Sequence, residues 1–114
     1  MGEAGVVVLI GASRAVAEGD ELGRILARNF MRTLAASALK PASIVLVNSG
    51  VFLAIEGSEV LEELRALAKA GVEVLSCGTC VDFFAVREQV AAGSVSNMQV
   101  IVDKLLTAHH IVRF

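Results

Sequence analysis

Two thiols three residues apart, Cys77 and Cys80, are the groups in this chain best suited to covalent chemistry. They enclose Gly78 and Thr79, and they fall where one apolar run, Val72, Val74 and Leu75, gives way to another, Val81, Phe83, Phe84 and Val86. The first run reads as a buried strand and the second as a short helix. Gly71, ahead of the strand, stands where a helical pattern stops and a left-handed residue is usually needed. A thiol at the corner between a parallel strand and a helix meets unpaired N–H groups and the positive end of a helix dipole. Both favour thiolate over thiol, so the corner suits a nucleophilic sulfur.

The spacing Cys77-Gly-Thr-Cys80 admits several chemistries. A zinc site needs two further ligands, which only His109 and His110 could supply, and adjacent strand residues point to opposite faces. A thioredoxin-type dithiol has this spacing, but no Trp or Pro flanks the pair. A single nucleophile that accepts and passes on sulfur places Cys77 at the strand end, with Cys80 resolving or assisting. The plain alternative is two inert cysteines packed as small hydrophobes. Gly78 and Thr79 speak against it, because they keep the turn open and expose N–H groups. Asn48 and Asn97 are polar candidates across the crevice, able either to hydrogen-bond an anionic sulfur or to cap turns. His109 and His110 read as structural, and Asp82 is expected to face away from Cys77. No metal or cofactor is expected.

The elements that position this corner follow from the apolar pattern. Residues 6–10 (Val-Val-Val-Leu-Ile) form a β-branched run closed by Gly11, as in a central parallel strand. Residues 11–19 read as a loop; Ala15 and Ala17 stand where a dinucleotide-binding turn would need glycine, and Asn48 replaces the acidic residue of that motif. Asp20 caps a helix whose face is Leu22, Ile25, Leu26, Phe30 and Leu34, ending before Lys40-Pro41. Arg24, Arg28 and Arg32 read as a solvated face. Residues 43–47 form the second strand and lead into Asn48, Ser49 and Gly50. Residues 51–55 read as a short strand or an irregular cover. Ser58 caps a helix through Val60, Leu61, Leu64, Leu67 and Ala68, closed at Gly71. Residues 87–93 read as a loop or frayed turn. Ser96-Asn97 caps a last helix holding Met98, Ile101, Val102, Leu105 and Leu106, and residues 109–114 form a final strand. This alternation predicts an α/β fold with a parallel sheet and helices on both faces. The crevice then lies at the carboxyl ends of the strands, where residues 11–13, 48–50 and 77–80 meet.

At 114 residues the chain is expected to form one domain, 1–114. Its 55% apolar content and mean hydropathy of +0.70 are high for its length, and no apolar run nears the ~20 residues that cross a bilayer. The excess points to burial between copies, a homo-oligomer. A net charge of −2 and five Phe without Trp or Tyr exclude a nucleic-acid platform. Met1 to Gly5 carry no export pattern, so a cytoplasmic location is expected. There, paired cysteines speak against a disulfide framework.

Gly19-Asp-Glu-Leu-Gly23, Asn48-Ser-Gly-Val51, Glu56-Gly-Ser58, Ser76-Cys-Gly-Thr-Cys80 and Asn97-Met98 occur in an order that resembles the C-terminal domain of YedF-type proteins, in the DsrE/DsrF-like superfamily of sulfur-relay proteins. The likeness runs from about Glu18 almost to the C-terminus, and the loop before it departs from the pattern. It implies a three-layer α/β/α sandwich on about five parallel strands and assembly into dimers, trimers or hexamers. It also implies persulfide transfer by a strand-end cysteine, here Cys77, with Cys80 the second cysteine of some members. The partners implied are sulfur donor and acceptor proteins, TusA-like or similar, with a link to selenium metabolism; the TusA-like domain and Cys-Pro pair usual in YedF-type proteins have no counterpart in this chain. The expected pocket comprises Asn48, Ser49, Gly50, Gly78, Thr79 and Asn97. A non-catalytic assembly module and a Cys-x-x-Cys dithiol reductase are the other functions these residues allow.

Overall fold

The computed structural model describes residues 2–11 and 21–114. Five strands, β1 (Gly2–Ile10), β2 (Lys40–Leu46), β3 (Glu73–Cys77), β4 (Ser94–Ser96) and β5 (His110–Arg113), form one sheet. Its order is β4-β3-β2-β1-β5, and every pairing is parallel. The helices are α1 (Glu21–Ala36), α2 (Leu61–Lys69), α3 (Gly78–Phe83) and α4 (Met98–Thr107), with 3-10 turns at Asn48–Ala54 and Arg87–Gln89.

Alternation along the strands divides the core into two layers. Val8, Ile10, Ile44, Leu46 and Val74 pack with Ala27 and Met31 of α1, Leu64 and Leu67 of α2, and Val81 of α3. Val7, Val45 and Cys77 point the other way, onto Ile101 of α4. Strands covered on both faces need apolar residues at successive positions, which is why β1 and β2 read as continuous runs. Each fully buried Ile or Leu contributes roughly 1.5–3 kcal/mol.

Several boundaries differ from those read in the sequence. β1 begins at Gly2, and its register with β2 shifts between Glu3 and Val7, around Gly5 at φ 87°. β2 takes in Lys40 and Pro41. Residues 51–55 are neither strand nor irregular cover: a 3-10 turn runs to Ala54, and Ile55 bridges antiparallel to Val90. Ser58 stands ahead of α2, its Oγ accepting from the Val60 N–H at 3.2 Å, so it caps the turn before the helix. α3 starts at Gly78, directly after Cys77. The segment 87–93 holds a 3-10 turn and leads into β4, a strand that the sequence pattern did not reveal. The Asp20 cap and loop residues 12–19 lie outside the described residues.

Candidate functional site

Cys77 is the last residue of β3, and Cys80 lies in the first turn of α3. Strand parity sends the Cys77 side chain beneath α4 among Val7, Val45 and Ile101, where it is 1% exposed. Cys80 is half-buried and packs against both layers of the core. Both thiols are free.

β2 supplies the polar contact. Asn48 opens the 3-10 turn after that strand with φ 54°, a left-handed conformation that Asn tolerates better than most residues. The turn aims the main-chain N–H of Asn48 at the Cys80 Sγ, 3.0 Å away. The donor is therefore the backbone of Asn48, and the sulfur it meets is the outer one. Burial pushes the Cys80 thiol above its ordinary range. The Asn48 N–H opposes that rise, while a hydrogen bond with Cys77 and negative charge there add to it. The two cysteines are thus neighbours in one cluster, and burial favours the thiol form of Cys80.

Gly78 is buried because β4 passes directly over it. A Cβ at this position would lie 2.7 Å from the Ser96 carbonyl oxygen and 3.2 Å from Nη2 of Arg87. Close approach, not an open turn, is what requires glycine here. Thr79 is exposed beside it. Asp82 is gripped by Arg87, whose Nε and Nη2 donate to the two carboxylate oxygens at 2.7 and 3.0 Å. That grip holds the carboxyl below its ordinary range, although an exposed pair of this kind contributes little stability. Ser49 and Gly50 sit in the turn after Asn48, and the Gly50 N–H donates to the Val47 carbonyl at 2.9 Å. Asn97 caps α4, its Oδ1 accepting from the Val100 N–H at 2.9 Å. His109 and His110 lie at the amino end of the sheet, where His110 registers with Val6, whereas the cysteines lie at the carboxyl end. The fourfold zinc set weighed from the sequence is therefore not assembled. Sequence reading missed Arg87 and the β4 backbone. It also missed a cleft of about 540 Å³ lined by Gly11, Asn48, Arg113 and Phe114 at the same carboxyl edge.

The chain belongs to the DsrE/DsrF-like family, whose family model matches residues 12–114. The match starts ahead of Glu18 and takes in the loop that the sequence resemblance set apart. No curated protein matches the chain. Among solved structures, the YchN protein from E. coli superposes with a TM-score of 0.66 at 16% identity, covering 96% of this chain and 97% of that one. BT1422 from Bacteroides thetaiotaomicron, a conserved protein of unknown function, gives 0.65 at 17%, with 96% and 95% covered. MTH1491 from Methanobacterium thermoautotrophicum, also of unknown function, gives 0.64 at 21%, with 96% and 97% covered. At these identities the likeness establishes the fold: a five-stranded parallel sheet with helices on both faces.

The Asn48 contact has a direct test. Asn48→Gly keeps the left-handed turn and should leave the rate of Cys80 alkylation against pH unchanged. Asn48→Val opposes positive φ by about 1–2 kcal/mol and should swing the N–H away, slowing Cys80 alkylation at pH 8 several-fold. Equal rates in all three proteins would remove the hydrogen bond from any part in tuning the thiol.

Proposed function

We propose that this protein is a sulfur carrier that accepts sulfur as a persulfide on Cys77 and passes it to an acceptor thiol. Membership of the DsrE/DsrF-like family supports sulfur relay at the family level. The observation that carries the reading is the pair itself, Cys77 and Cys80 as free, neighbouring thiols at the carboxyl edge of β3. In the loading step the Cys77 thiolate attacks the terminal sulfur of a donor persulfide, and the donor leaves as a thiolate. An acceptor thiolate then attacks that same outer sulfur and Cys77 leaves. Because Cys77 is nearly inaccessible, donor and acceptor reach it past Cys80. The partners are donor and acceptor proteins of the TusA-like kind, and the cargo is sulfur or its heavier congener selenium. A reducing compartment such as the cytoplasm keeps both thiols available.

The apolar surface left by the fold fits assembly of several copies. Met98, Val102 and Leu106 repeat at helical spacing on the outside of α4, with Leu106 79% exposed, and Leu22 and Leu26 are exposed on α1. Apolar patches beyond a few hundred Å² are rare on monomers. Light scattering at micromolar protein is expected to give at least a dimer, and Leu106→Glu should shift it toward a smaller species. A clean monomer mass would leave these faces without a role in self-association.

Intact mass after incubation with inorganic polysulfide tests the carrier. A gain of about 32 Da per added sulfur, mapped to the peptide holding Cys77, is expected. An oligomer that never gains this mass would instead be an assembly module.

A further inference from the structure

We infer that the Cys77–Cys80 pair has a second activity: a loaded carrier that meets no acceptor discharges its own sulfur as sulfide and closes into a Cys77–Cys80 disulfide. The inference rests on the persulfide reading and adds a fate for that sulfur. Its basis is placement. Cys80 stands three residues beyond Cys77 across the strand-to-helix corner and packs against the cluster that holds Cys77, so the two are neighbours in the resting fold. Cys77 is sealed among Val7, Val45 and Ile101, while Cys80 forms the outer side of the pair. Any persulfide on Cys77 therefore has Cys80 as its nearest nucleophile, ahead of every thiol in solution.

The step balances without an outside oxidant. The Cys80 thiolate attacks the inner sulfur, the one bonded to the Cys77 carbon. The bond between inner and outer sulfur breaks, and the outer sulfur leaves with the electron pair as hydrosulfide. Two thiol sulfurs are oxidised to a disulfide, and one sulfane sulfur is reduced to sulfide. A dithiol reductant returns the pair to its starting state. Attack by an acceptor on the outer sulfur and attack by Cys80 on the inner one therefore compete for the same intermediate.

What keeps the discharge slow is the protonation of Cys80. Among the described residues, Cys80 packs against the cluster of Val7, Val45, Cys77 and Ile101 and accepts from the uncharged main chain of Asn48, while Asp82 on its own helix is tied to Arg87. Burial is the largest effect on Cys80 and favours its thiol form, whatever sulfur Cys77 carries. Since the thiol is raised, its thiolate fraction climbs about tenfold per pH unit from neutrality until pH reaches its own range.

The full chain is loaded with inorganic polysulfide, freed of excess, and followed by intact mass and sulfide release at pH 7 and pH 9 without acceptor. Wild type should pass from the form heavier by about 32 Da to one lighter than the starting protein by about 2 Da, with an equivalent of sulfide, and faster at pH 9. In Cys80→Ser the heavier form should persist at least about tenfold longer and yield no lighter product. A heavier form that decays alike in both proteins, with no Cys77–Cys80 crosslinked peptide, would overturn the discharge and leave the carrier standing. Failure of both proteins to gain mass would overturn carrier and discharge together. Should Cys80→Ser not fold, the crosslinked peptide and matched sulfide in wild type decide the matter, their absence counting against the inference.

Discussion

Cys77→Ser is expected to reduce persulfide loading by at least about a hundredfold, because a hydroxyl at this position cannot attack a sulfane sulfur at neutral pH. The variant should still fold. Ser is close in volume to Cys, and the cost arises from placing a hydroxyl among Val7, Val45 and Ile101 without a partner, about 1–3 kcal/mol. Cys77→Ala avoids that hydroxyl and leaves only a small void, so agreement between the two variants separates lost chemistry from lost packing. Intact mass after polysulfide treatment, together with the melting temperature of each protein, is the measurement. The opposite outcome is equally readable. A Cys77→Ser protein that gains sulfur on Cys80 at the wild-type level would make the outer thiol the carrier and Cys77 its buried companion. Exposure alone points toward Cys80, while its suppressed ionisation points away from it, so the variant decides between two opposed physical effects.

Much of this corner was legible in the sequence, and the reasons are specific. β1 and β2 are runs of β-branched and aliphatic residues, and strands buried on both faces can be little else. Gly71 marked the end of α2 correctly, with φ 103°. The cysteines fell at the strand end because the apolar pattern changes period there. Three features left no such trace. β4 is Ser-Val-Ser, short and at the sheet edge, and it is held to β3 by main-chain pairing that no side chain advertises. The 3-10 turn at 48–54 is apolar without a period of two or of 3.6, since Val51, Leu53 and Ala54 are all buried under a tight turn. The hydrogen bond on Cys80 comes from a backbone N–H, so the identity of Asn48 records only the left-handed turn that aims it. Gly78 was flagged for the right corner and the wrong cause, because the strand that crowds it was itself invisible.

That hidden strand carries the prediction with the largest effect on stability. Gly93 leads into β4 with φ 70°, and a Cβ there would lie 2.3 Å from the Val74 carbonyl oxygen and 2.7 Å from the Val74 Cβ. Val74 is a buried residue of β3 and registers with Ile44, so it cannot yield without disturbing the central sheet. Gly93→Ala therefore combines a left-handed penalty of about 1–2 kcal/mol with an overlap worth about 1–3 kcal/mol more. At roughly 4 °C or more per kcal/mol, the melting temperature should fall by ~10 °C or more. Gly57 offers the control. Its φ is 88°, but its Cβ would meet nothing within 4 Å, so Gly57→Ala should show the backbone penalty alone. The variant should also reach the site. β4 pairs Ser94, Val95 and Ser96 with Leu75, Ser76 and Cys77, so forcing its start away from β3 loosens the wall beside the buried thiol. Alkylation of Cys77 in Gly93→Ala should speed up well below the melting temperature, and it should not in Gly57→Ala. Equal losses of stability in the two variants, with Cys77 equally protected, would mean that Gly93 is needed only for its turn and that β4 does not guard the cysteine.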